Sequence, residues 1–302
     1  MTRFAVLLVV VIVAGCGSAV RTGAMPPSQL VASGEARETA AAGREFVFTC
    51  HNATSYECLV YNKAGRLLRT KKKELVDPQG VAAGSDGLLY VANEGAKNVL
   101  VYAAGGHSLL RALDDGGNVP IDVAVFGQTV AASNLHNVTV FGSGATKPSR
   151  TLKDPNVFQG SGVAFDPSGN CFWSFTNEQL HEQVDEFAAC RGKPVAVPIT
   201  EGSPNGLAFD GAGNLWYASG STQNPGVYRC KGTSQCGIVY DEFQDPVYIN
   251  FSHDFHDLWV DDPGSAAVYE IDIANGNVVQ EITAGLSIDN TPSGVAAAPG
   301  PL

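Results

Sequence analysis

The sequence predicts an all-β fold: a six-bladed β-propeller of four-stranded antiparallel blades, with the ring closed by strands from both termini. Three observations predict it. A short apolar start recurs as Pro78-Gln79-Gly80-Val81, Pro120-Ile121-Asp122-Val123, Ser161-Gly162-Val163, Pro204-Asn205-Gly206-Leu207, Pro246-Val247-Tyr248-Ile249 and Pro292-Ser293-Gly294-Val295. The aligned residues Val81, Val123, Val163, Leu207, Ile249 and Val295 stand 42, 40, 44, 42 and 46 positions apart, the spacing of a repeat whose units bury their apolar faces on one another. Each start then leads through a tight turn into a second, third and weaker fourth strand. Finally, the two ends are complementary halves of one unit, which a two-sheet sandwich of short strands does not explain.

Met1–Arg3 is a short basic start, Phe4–Val13 an apolar run too short to span a bilayer, and Ala14-Gly15 a small-residue cleavage site, so residues 1–16 read as a signal peptide. Val13-Ala14-Gly15-Cys16 resembles the bacterial lipobox, which implies lipidation of Cys16; an ordinary secretory signal is the alternative. Residues 17–44, rich in Ala, Gly, Ser, Pro and Thr, bury too little apolar surface to offset their ordering entropy and read as a flexible tether. The propeller is assigned to residues 45–302. It opens on three strands, Glu45–Thr49, Leu59–Asn62 and Arg66–Thr70, with no first strand before them, and Ser293–Ala298 is a first strand with nothing after it. Between these fragments, turns such as Ser85-Asp86-Gly87 and Asp210-Gly211-Ala212-Gly213-Asn214 supply the positive φ of a hairpin.

Beyond Cys16 six cysteines remain, an even number that suits an exported chain. Strand placement makes Cys50–Cys58, Cys171–Cys190 and Cys230–Cys236 cross-strand pairs, against the alternative of buried free thiols. The net charge of −11 and the lack of a cationic stripe argue against nucleic acid; the one basic run, Arg69–Lys73, reads as a solvated edge strand. No Gly-x-Ser-x-Gly elbow occurs, and the Gly-Gly pairs do not open helices, so neither a serine hydrolase nor a phosphate cradle is indicated. His253-Asp254-Phe255-His256-Asp257 falls in a first-to-second-strand turn and reads as a variant turn in preference to a zinc or copper clasp. The three Asn-x-Ser/Thr triplets are read as chance.

Leu89-Tyr90-Val91-Ala92-Asn93 followed by Asn98-Val99-Leu100-Val101-Tyr102 resembles the NHL and YVTN classes of propeller repeat. Pro204-Asn205-Gly206-Leu207-Ala208-Phe209-Asp210 with Gly213-Asn214-Leu215-Trp216-Tyr217 is also similar to the gluconolactonase and regucalcin class. The second resemblance implies a divalent metal such as calcium at the channel, held by acidic and amide side chains, and only Asn205 falls on a matching position. Propeller geometry puts Gln79, Ile121, Ser161, Asn205, Val247 and Ser293 at the channel rim, and none is a carboxylate, which makes a poor cage for a hard cation. The loops of the same face add Asn93, Glu94, Asn134, His136, Asn177, Glu178 and Asp261, either as an acid-base or metal constellation or as a solvated rim of turn-forming residues.

The resulting expectation is a monomeric, lipid-anchored binding or scaffold module of the bacterial envelope, without a cofactor, contacting a protein, peptide or glycan at the channel face. The membrane is touched through the anchor alone. A metal-dependent, lactonase-like hydrolase or lyase is the alternative, and a purely structural envelope protein is favoured if aromatic side chains plug the channel.

Overall fold

The structure is a computed structural model that describes residues 45–52, 55–220 and 223–299. Residues 1–44, on which the signal-peptide, lipobox and tether readings fall, and residues 53–54, 221–222 and 300–302 lie outside the described residues. Six antiparallel sheets of four strands each carry the described chain, and helix is confined to three single 3-10 turns among these residues. Blade 1 joins Val295–Pro299 to Glu45–His51, Glu57–Asn62 and Leu67–Lys71, so the two termini share one sheet. Blades 2 to 6 begin at Pro78–Ala83, Pro120–Phe126, Val157–Phe165, Leu207–Phe209 and Ile249–Phe251 and run outward in chain order. Successive first strands touch one another around the ring, and that of blade 6 touches Val295–Pro299, which closes it.

The core is not one mass but six slabs, one between each pair of neighbouring blades. Leu89 and Val91 of the second strand Leu89–Asn93 pack toward Phe46, Phe48 and Val60 of blade 1, whereas Tyr90 and Ala92 pack toward Val123, Val130 and Phe141 of blade 3. Both faces of an inner strand are therefore dry. This is why Leu-Tyr-Val-Ala and Leu-Trp-Tyr-Ala read as continuous apolar runs and not as the alternation of a half-solvated sheet. Trp173 and Trp259, fully buried, fill the slabs between blades 3 and 4 and between blades 6 and 1.

All three cysteine pairs form disulfides, and Cys50 stands directly opposite Cys58 in the blade 1 ladder. Each staples a hairpin inside one blade. Closure between blades 1 and 6 is tied instead by Lys63, whose ammonium lies 3.1 Å from Glu45, 3.0 Å from Asp257 and 3.6 Å from Glu270. Three carboxyls around one cation leave excess negative charge in a buried seam, and burial next to Asp257 pushes the Glu270 carboxyl up to about 8. Lys63→Met removes the compensating charge. The variant is expected to lose about 1–3 kcal/mol by urea unfolding, and to lose more at pH 8.5 than at pH 6, where Glu270 is neutral.

Candidate functional site

The face that carries the blade-to-blade connections and the second-to-third-strand loops is the one the sequence singles out. The residues that end the second strands there are structural pegs. Asn93 accepts from the Val76 amide at 2.7 Å and donates to Glu74 and Asn98, fastening the incoming connection to the loop. Asp262 does the same in blade 6, accepting from the amides of Gln244 and Asp245. The Asn177 side chain accepts from the amides of Gln179 and His181 and shapes its own loop. Asn134 bonds Asn137 and Thr139 in a buried network that also holds Asp115, through a short bond from the Thr139 hydroxyl, and Asn118. Burial pushes the Asp115 carboxyl up to about 7.

The remaining loop residues do not converge. His136 and Glu178 are exposed on separate blades. Asp261, expected in a loop, lies in the strand Asp257–Asp262 with its side chain buried. One oxygen accepts from the Tyr248 amide, the other has no partner, and burial raises its pKa well above the ordinary carboxylate value. Glu94 is half-buried and takes a 2.7 Å hydrogen bond from Gln79; burial and nearby Asp77 hold its carboxyl above the usual range. Among the described residues no three His, Cys, Asp or Glu side chains come together in a metal-binding group.

Of the six rim positions read from the repeat, Gln79, Ile121, Ser161, Asn205 and Val247 are half-buried and Ser293 is buried. Gln79 is engaged with Glu94, and the Ser293 hydroxyl donates to the Pro78 carbonyl at 3.0 Å. Asn205 uses its backbone, bonding Ala218 and accepting from the Ser174 hydroxyl. Its side-chain amide makes no hydrogen bond among the described residues.

One residue further along each first strand the chain reads Gly80, Asp122, Gly162, Gly206, Tyr248 and Gly294. A Cβ on Gly162 would stand 2.3 Å from the Asn205 carbonyl oxygen, and one on Gly206 2.6 Å from that of Val247, so neighbouring blades approach closely at this ring. The four glycines leave space that Tyr248 takes. Its side chain crosses from blade 6 to the diametrically opposite blade 3, where its hydroxyl donates to the Ile121 carbonyl at 3.3 Å. Tyr248 is buried, and burial together with Asp122 and Asp261 pushes its phenol well above the ordinary value. Asp122 is equally committed: it accepts from the Val163 amide at 2.9 Å, and burial pushes its carboxyl up to about 7.

The fold is that of a six-bladed β-propeller. A scan against protein-family models finds no match, and no curated protein matches the chain. Among solved structures the chain is similar to one from the crystal structure of a nidogen/laminin complex, at 18% identity, TM-score 0.67, 85% of this chain and 98% of that one. It is also similar to the streptogramin B lyase structure, at 13% identity, TM-score 0.51, 78% of this chain and 72% of that one. At such identities the likeness is one of fold alone.

The motif at residues 204–219 resolves into architecture around that fold. Asp210 accepts from the amides of Ala212 and Asn214, from the Asn214 side chain and from the Trp216 indole at 3.0 Å, a turn peg repeated in blade 4 by Asp166 and Asn170. His253–Asp257 is the same turn in variant form, with Asp254 accepting from the Ser252 hydroxyl and the His256 amide. Tyr248 and Asp122 are the axial residues that sequence reasoning passes over. The signal was present: set side by side, the six repeats read Gly, Asp, Gly, Gly, Tyr, Gly at this position.

Proposed function

We propose that the protein is an exported, lipid-anchored binding module of a bacterial envelope that contacts a protein partner through the loop face of the propeller. The observation that carries this reading is a set of exposed apolar side chains on that face. Tyr56, Val76, Phe158, Leu180 and Ile288 all sit in the loops, connections or strand starts of that one face, with Leu180 66% and Ile288 73% exposed. Large apolar groups in solvent-facing loops mark interaction surfaces, and nothing in the fold requires them there. The Tyr248 plug meets the condition set above for a structural envelope protein without a small ligand at this rim, where Gln79 and Ser293 are already engaged, and leaves the surrounding loops as the contact surface of that face. The even, paired cysteines support export, and the lipobox resemblance supports attachment through Cys16.

A lactonase-like hydrolase would need a cation at Asn205. Metal analysis of the purified protein and a calcium titration followed by thermal shift are expected to show neither bound metal nor stabilisation. A calcium-dependent rise in Tm that Asn205→Ala removes would overturn the binding-module reading. Cys16→Ala is expected to move the protein from the membrane to the soluble fraction. Phe158→Asp with Leu180→Asp is expected to abolish partner capture while leaving Tm within about 2 °C of wild type.

A further inference from the structure

The geometry points to a second binding site on the far side of the Tyr248 plug: a channel cavity, open at the first-to-second-strand turns, that takes an uncharged, largely aromatic molecule with one hydrogen-bonding group. The cavity measures about 430 Å³, within the range of small-molecule sites. Its walls are two stacked rings with one residue from each blade. The deeper ring is Val81, Val123, Val163, Leu207, Ile249 and Val295; the second, two positions along each strand, is Ala83, Val125, Phe165, Phe209, Phe251 and Ala297. The plug forms the floor, where Tyr248 and Asp122 already bond the Ile121 carbonyl and the Val163 amide.

Between the two rings the intervening position is alanine in five blades and Asn250 in the sixth. Asn250 lines the cavity half-buried, and its amide makes no side-chain hydrogen bond among the described residues. It is a polar reader set in an apolar wall. At the mouth stand Phe126, 42% exposed, and Phe255, 43% exposed, each against a phenylalanine of the second ring: Phe126 of blade 3 to Phe165 of blade 4 at 5.7 Å, and Phe255 to Phe251 of its own blade at 5.9 Å between ring centroids. Phe255 holds a positive φ of 58°, a backbone region costly for an aromatic residue, in a turn where blades 4 and 5 use glycine. A turn that only needed to close would not keep an exposed phenylalanine in that conformation.

These features fit one class of ligand. Apolar walls offer water few partners, so an apolar molecule displaces it at little cost, and the phenylalanines supply stacking faces. An anionic ligand is disfavoured, because Asp122 stands at the floor and Asp166 among the lining residues, and no lysine or arginine lines the cavity. The inference does not depend on the loop-face reading, since the plug separates the two surfaces.

Titration of the full-length protein with N-phenyl-1-naphthylamine, an uncharged aromatic amine, tests it. Wild type is expected to give saturable, blue-shifted fluorescence at one site per chain. Ala208→Phe, which fills the half-buried wall beside Leu207 and Phe209, is expected to abolish it, and Asn250→Leu to weaken it. The double variant Phe126→Ser, Phe255→Ser changes only exposed positions and is expected to weaken binding about tenfold without loss of fold. It carries the test if Ala208→Phe does not fold. Absence of saturable binding by wild type, or wild-type affinity in the mouth variant, would overturn the proposal. So would loss of binding in the loop-face variant Leu180→Asp, by placing the probe on the other surface.

Discussion

Removal of residues 293–302 is expected to abolish the cooperative thermal transition and leave an aggregating chain. The last strand supplies five paired positions to Glu45–His51, from Thr49 opposite Val295 to Glu45 opposite Pro299. Its side chains also serve two slabs at once: Val295 and Ala297 face blade 6, while Ala296 and Ala298 face blade 2. Without it, the inner edge of Glu45–His51 is left unpaired and two of the six slabs lose a wall, which exposes an apolar sheet edge. The loss is of the order of the whole native stability, about 5–15 kcal/mol. Circular dichroism melting and light scattering of the truncated chain check it. Ala296→Asp, which puts a carboxylate at a position with no solvent exposure, is the point-mutant form of the same experiment and is expected to cost more than about 3 kcal/mol. A truncated chain that melts like wild type would mean that the ring does not depend on terminal closure.

The second large effect is an inverted pH dependence. Burial pushes Asp115, Asp122 and Asp185 up to about 7 and Glu270 up to about 8, and it raises Asp261 further above its ordinary value. In the unfolded chain all five titrate near the ordinary carboxylate values of about 4. Between pH 4 and pH 8 the folded protein therefore holds more protons than the unfolded one. The stabilisation is complete below the unfolded values and is lost as pH rises through the folded ones. Two effects oppose it: His51, lowered by burial, favours the folded state as pH rises through its range, and Asp210 and Asp254, whose carboxylates are held low by hydrogen bonds, lose stability in strong acid. Five groups against one in the neutral range set the direction. Tm is expected to rise by about 5–10 °C from pH 8 to pH 5.5 and to fall again below about pH 4. The double variant Asp122→Asn, Asp185→Asn is expected to flatten the slope, and a Tm that instead climbs toward pH 8 would contradict the protonation states assigned to these groups.

Much of the architecture was legible in one dimension. The spacing of Val81, Val123, Val163, Leu207, Ile249 and Val295 corresponds to the six first strands, and the orphan strands at the two ends correspond to the shared blade. The cysteine pairs followed from strand placement, because a hairpin staple is a local feature. Asp210 and its turn were legible for the same reason: their partners lie within a few residues.

The candidate sites were much less legible. Asn93 looks like a rim ligand in the sequence, yet its amide is spent on Val76 and Glu74, contacts 17 and 19 residues away that a repeat pattern does not reveal. Asp261 looks like a loop carboxylate, and one residue of strand register turns it inward to the Tyr248 amide. Period, turns and disulfides depend on neighbours in the chain, so the sequence by itself determined the ring, its blade number, its closure and its staples. Only the tertiary structure decided that the channel is closed. The bond from Tyr248 to Ile121 spans 127 residues and crosses the axis, and it exists because four glycines from separate blades leave one ring of space for a single aromatic side chain.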